Sequence, residues 1–113
     1  MTNGKLVRDL IPDLIRQSGR TADVRYLTGD ELMAALGAKL VEEAGEAAAV
    51  VHSRTDLVEE LADVREVITA LMAVGRITEQ ELVEAGVAKA QERGSFRSGA
   101  WLDSSSFTTD PGL

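Results

Sequence analysis

At 113 residues and 44% hydrophobic content, the chain is long enough for one compact domain with a core and too short for two. The absence of cysteine excludes disulfides, thiolate chemistry and zinc-thiolate sites, and a single histidine, His52, excludes a histidine-rich metal centre. A net charge of −7 argues against a nucleic-acid polymer as partner, because that role needs a positive surface to displace phosphate counterions, but it leaves free nucleotides open.

Aromatic residues make up only 4% of the chain, so Leu, Val, Ile and Ala must fill the interior, which suits closely packed helices. The N-terminus, MTNGKLVRDL, has no apolar leader and no later run approaches membrane-spanning length, so a cytoplasmic protein without membrane association is expected.

Taken in order, KLVRDLI at Lys5 to Ile11 is a short apolar run broken by Arg8 and Asp9. Pro12 suits the first turn of a short helix that reaches Gln17 and stops at Ser18-Gly19. Ala22 to Leu27, ADVRYL, partly alternates and carries Val24 and Tyr26, which predicts a short strand. Thr28-Gly29-Asp30-Glu31 is a capping-box pattern that opens a first long helix over about Asp30 to His52. Asp56 with Glu59 repeats the signal and opens a second, running to about Val74 with Gly75 as its stop. Thr78 and Glu81 form a third box, followed by a helix through Leu82, Val83, Gly86, Val87 and Ala90 to Arg93-Gly94.

Phe96 to Leu102, FRSGAWL, is expected as a short strand or ordered arm beside residues 22–27, and DSSSFTTDPGL as a mobile tail. The expected fold class is therefore mainly α: residues 1–102 form a single compact helical bundle with short extended end segments, and residues 103–113 are the tail.

The most informative stretch is Lys39 to Asp63, which carries Glu42-Glu43-x-x-Glu46 on one predicted helix and Glu60-x-x-Asp63 on the next. At about 100° per residue, the apolar stripe of the first helix runs through Leu32, Leu36, Leu40, Ala47 and Val50. Glu43 falls inside it, seven residues from both Leu36 and Val50, with Glu46 and Lys39 at its edge and Glu42 further round. On the second helix the expected inward face is Leu57, Leu61, Val64, Ile68 and Leu71, with Glu60 between Val64 and Val67 on the wheel and Asp63 at the border.

A link around Ser53 to Thr55 favours an antiparallel pair, in which Glu43, Glu46, Glu60 and Asp63 converge. Two carboxylates about 5 Å apart repel by about 3 kcal/mol at an effective dielectric of about 20, so such a group needs positive charge. Lys39 alone does not neutralise it, and a hard divalent cation such as Mg2+, which prefers oxygen ligands, is the simplest answer.

Arg8, Lys89 and Arg93 are the candidate phosphate contacts, with Lys39 beside the acidic motif; Lys89 and Arg93 stand four apart and share a helix face. The same residues also suit plain structural roles, Arg8 as a partner of Asp9 or Asp13 and Lys89 and Arg93 as favourable charges near a helix C-terminus. His52, at a helix end, reads as a capping or exposed residue. No dinucleotide or P-loop glycine pattern is present, and no serine, histidine and acid arrangement is recognisable.

With Glu42-Glu43-Ala44-Gly45-Glu46 and Glu60-Leu61-Ala62-Asp63, flanked by KLVRDLIP and KAQERGSF, the chain resembles the MazG-like all-α nucleoside triphosphate pyrophosphohydrolases, in particular their small single-domain house-cleaning branch, over about residues 5–102. The resemblance implies Mg2+-dependent hydrolysis of canonical or non-canonical nucleoside triphosphates to monophosphate and pyrophosphate, with Mn2+ as an alternative ion. Glu43, Glu46, Glu60 and Asp63 would be the metal ligands, and Glu42 and Glu43 the candidates to orient or deprotonate water. It also implies a homo-oligomer, dimer or tetramer. Phe96 and Trp101 are the candidates to stack on a base, their alternative being core packing. The competing readings are a phosphoribosyl-ATP pyrophosphohydrolase and a non-enzymatic helical nucleotide sensor or oligomerisation module.

Overall fold

The structure, a computed structural model, describes residues 4–107. Its elements are α1 (Ile11–Gln17), α2 (Gly29–Ala49), α3 (Arg54–Gly75) and α4 (Glu79–Arg93), with one 3₁₀ turn at Ser104–Ser106. The chain divides into two units, Met1–Thr78 and Glu79–Leu113.

In the first unit α2 and α3 pack side by side as an antiparallel hairpin. The link is tighter and earlier than expected: Val50 caps α2, and the Ser53 N–H closes the turn onto the Val50 carbonyl at 2.9 Å. Ser53, not Asp56, caps α3, its hydroxyl accepting from the Asp56 N–H at 3.4 Å. Leu36, Ala47 and Val67 are the buried apolar side chains among the described residues outside proline, and Pro12 of α1 is buried as well. Each Leu or Val so buried contributes roughly 1.5–3 kcal/mol. Leu36 and Ala47 lie on the expected stripe of α2, and Glu43 between them is buried too.

The face of α3 is turned relative to expectation. Val67 is its most buried residue, while Leu61 is 52% and Ile68 36% exposed. A helix carrying apolar residues on two flanks can present either one, and here α3 presents Glu60, Asp63, Val64 and Val67, leaving Leu61 and Ile68 on an outer flank with Val58.

Two turn-level expectations are corrected. Thr28 stands at the N-cap of α2, but its side chain makes no capping hydrogen bond. Gly29, with φ 58°, turns the backbone out of the usual cap path, and Glu31 is held outward by two hydrogen bonds from the Arg25 guanidinium, at 3.0 and 3.3 Å. At the other hairpin end Gly75 is still helical, and the left-handed residue that ends α3 is Arg76, at φ 57° and ψ 41°, with the Ile77 N–H returning to the Met72 carbonyl at 2.9 Å.

Neither expected strand forms. Residues 22–27 are irregular with Tyr26 82% exposed, and residues 96–102 are turn and irregular backbone. A lone strand has no partner to satisfy its backbone groups, and no strand exists among the described residues to pair with either. In the second unit α4 ends as expected at Gly94, whose φ of 81° closes the helix through its N–H to the Ala90 carbonyl. The expected tail begins inside the described residues, with Ser104–Ser106 forming the 3₁₀ turn; its residues 108–113, like residues 1–3 of the expected domain, lie outside them.

Candidate metal centre

The antiparallel register of α2 and α3 sets Glu43 opposite one turn of α3. One carboxylate oxygen from each of Glu43, Glu60 and Asp63 lies within 4.8 Å of the other two. Glu43 is 7% exposed, and Glu60 and Asp63 are half-buried. Oε2 of Glu43 and Oε2 of Glu60 are buried without a hydrogen-bond partner. An ionised carboxylate oxygen buried without a partner is costly, and two of them in one cluster mark a place where positive charge belongs.

Two cations already address the group. Lys39, one turn before Glu43 on α2, sets its Nζ 3.4 Å from Glu43 Oε1 and 3.5 Å from Glu42 Oε1. Arg8, from the irregular N-terminal segment, donates to Asp63 Oδ1 at 2.6 Å and places its other terminal nitrogen 3.9 Å from Glu66. The neighbourhood of Glu42, Glu43, Glu46, Glu60, Asp63 and Glu66 thus sets six carboxylates against two cations. Burial pushes the Glu43 carboxyl above its ordinary value, the Lys39 ammonium works against this, and the neighbouring Glu46 carboxylate adds to the rise.

The donor set fits a hard divalent ion. Three carboxylates from rigid helices, with neither histidine nor thiolate among them, suit Mg2+ or Mn2+ in oxygen coordination and do not suit zinc. Two of the three residues, Glu43 and Glu60, each carry a buried oxygen without a hydrogen-bond partner, which an ion held by this group could satisfy.

A cleft of about 700 Å³ opens beside the centre. Arg8, Lys39, Glu43, Asp63 and Glu66 line its polar end, and aliphatic side chains such as Leu10, Leu14, Leu32, Leu36, Val67 and Val74 line the rest. Among the described residues that wall offers apolar area and the Asp9 carboxylate but no aromatic or amide side chain to read a base.

Of the residues singled out from sequence, Glu43, Glu60 and Asp63 come together, with Lys39 and Arg8 as their cations. Glu46 stays exposed at the rim, close enough to disturb Glu43 but outside the group of three. Glu42 is exposed and paired with Lys39. Lys89 and Arg93 lie on α4 in the second unit, both exposed, Arg93 with its Nε 4.0 Å from Glu92. Phe96 and Trp101 belong to the same unit and are 101% and 91% exposed, so within it neither completes a core. His52 is exposed in the α2–α3 link.

Sequence reasoning missed Glu66 and the true partner of Arg8, which is Asp63 and not Asp9 or Asp13; Asp13 pairs with Arg16 at 3.4 Å. The position of Glu66, three residues after Asp63 and so on the same helix face, is the signal that could have found it.

No family model and no solved structure matches the chain. An uncharacterized protein of Mycolicibacterium smegmatis is 62% identical over 42 residues, which are 37% of this chain and 43% of that protein. The chain therefore spans less than half the length of the curated relative it matches. Among the described residues no helix is long and apolar enough to cross a membrane.

Proposed function

We propose that this chain is a divalent-cation-dependent nucleoside triphosphate pyrophosphohydrolase of the MazG-like kind, releasing nucleoside monophosphate and pyrophosphate in a house-cleaning role. The observation that carries the reading is the convergence of Glu43, Glu60 and Asp63 within 4.8 Å, with two of their oxygens buried and unpartnered. The motif Glu-Glu-x-x-Glu followed by Glu-x-x-Asp is what the resemblance rests on, and three of its members form this centre.

In this reading Glu43, Glu60 and Asp63 hold Mg2+, which when bound neutralises charge on phosphate oxygens. Lys39 and Arg8 stand at the polar end of the cleft, where they favour a polyanion entering it. Glu42 and Glu43 are the candidates to orient or deprotonate the attacking water, Glu42 as the exposed one of the two and paired with Lys39. Among the described residues the remainder of the cleft is aliphatic apart from Asp9, so it offers mostly contact area and little hydrogen-bonding readout, which favours tolerance among bases over strict choice. The exposed apolar flank of α3, Val58, Leu61 and Ile68, supports a homo-oligomer.

The test is a panel of canonical and modified triphosphates, with phosphoribosyl-ATP included, assayed with Mg2+ for pyrophosphate against orthophosphate release. Pyrophosphate release that disappears in Glu60→Gln is expected. Orthophosphate alone, or binding without turnover across the panel, overturns the reading.

A further inference from the structure

We infer that Arg8 and the cation of the proposed centre exchange on Asp63, so that loading the centre unlatches the N-terminal strap from α3. The inference rests on the proposed metal reading and concerns what this chain's own residues do toward that ion.

Residues 4–10 form no helix or strand, and Leu6 to Leu10 supply one wall of the cleft beside α2 and α3. The polar fastening of this strap to α3 is Arg8, through its 2.6 Å hydrogen bond to Asp63 and its approach to Glu66. Asp63 is at the same time one of the three residues whose oxygens converge. A carboxylate can touch two cations, but a divalent ion on one oxygen repels a guanidinium on the other, and Arg8 keeps its charge at every accessible pH.

Glu66 does not keep the latch closed by itself. It lies one turn further along α3, 3.9 Å from the second terminal nitrogen of Arg8, and it is outside the group of three. At that distance it accepts no hydrogen bond from Arg8, so once the ion takes Asp63 the hydrogen bond by which Arg8 held the strap to α3 is gone. The Arg8 and Asp63 side chains are 56% and 38% exposed, so their pair is weak enough to yield. Lys39 differs, because its side chain is only 18% exposed and it bridges Glu42 and Glu43 within one helix, so it fastens no second segment to that helix.

The experiment measures Mn2+ binding to the full chain by the electron paramagnetic resonance of the free ion, for the wild type, Arg8→Gln and Arg20→Gln. Arg20 is exposed and bonds to Ser18, so its variant makes the same charge change away from any carboxylate pair. Arg8→Gln is expected to bind Mn2+ roughly two- to fivefold more tightly, the scale of one partly exposed ion pair, with Arg20→Gln unchanged.

In parallel, a nitroxide on Lys5→Cys, the sole cysteine of that variant, is expected to become more mobile when Mg2+ saturates the protein, and to be mobile from the outset when Arg8→Gln is added. Mn2+ binding that is equal or weaker in Arg8→Gln, or a label that Mg2+ leaves unchanged or slows, overturns the exchange and leaves the metal reading standing. No Mn2+ binding by wild type or variants overturns both.

Discussion

Glu43 occupies a position that its helix otherwise fills with Leu36 and Ala47, and burial has a cost that Lys39 offsets only in part. Its carboxyl is raised above the ordinary value, so the folded chain binds this proton more readily than the unfolded chain does. Stability attributable to Glu43 is therefore greatest below the unfolded value and falls as pH rises through the raised folded one. Glu43→Gln removes that penalty while its amide retains donors for neighbouring carboxylates. Without divalent ions the variant is expected to melt higher than the wild type at neutral pH. The difference should shrink as pH drops below the ordinary carboxylate range, and melting curves from pH 4 to 8 check it. Turnover is expected to fall roughly 100-fold or more, the scale of a lost acid-base or charge-stabilising group. A variant that melts lower at neutral pH would mean that Glu43 stabilises the chain through Lys39 alone.

Each helix shows which part of its placement is written in its own residues. Apolar spacing reports that Leu57, Leu61, Val64, Ile68 and Leu71 share a flank, but not which flank of α3 meets α2. The packing chose the flank of Val67, Glu60 and Asp63, so the acids point further inward than the wheel suggested, and Leu61 and Ile68 are left exposed. On the proposed oligomer, Leu61→Lys is expected to lower the mass measured by light scattering while helical content by circular dichroism stays unchanged. An unchanged mass removes this flank from the assembly. The end of α3 is a separate matter of backbone geometry. Arg76 adopts a left-handed conformation that costs a side-chain-bearing residue about 1 kcal/mol and costs glycine little. Arg76→Gly is therefore expected to stabilise the first unit by roughly 0.5–1 kcal/mol in denaturant titration, and a loss of stability would show that the Arg76 side chain contributes more than its strain removes.

For the whole molecule, the helices were legible because each is specified by neighbours along the chain: Pro12 in the first turn of α1, Gly94 after α4, and the spacing of Leu36, Glu43 and Ala47. The convergence of three acids was legible for the same reason, since a short link forces α2 and α3 into one register. What depends on distant partners was not. Residues 22–27 have strand composition without a strand to meet, and Arg8 finds Asp63 across 55 residues of sequence. That dependence also makes the centre testable through the stability of the fold. An ion held by α2 and α3 together binds the folded first unit and not the unfolded chain, so it must raise stability by RT ln(1 + [L]/Kd), about 2.7 kcal/mol at a hundredfold excess over Kd. Mg2+ is expected to raise the melting temperature of the wild type by several degrees, and to leave Glu60→Gln and Asp63→Asn nearly unmoved, with turnover lost in both. If Mg2+ shifted all three proteins equally, the ion would be acting on general surface charge, and the buried oxygens of Glu43 and Glu60 would need a different explanation.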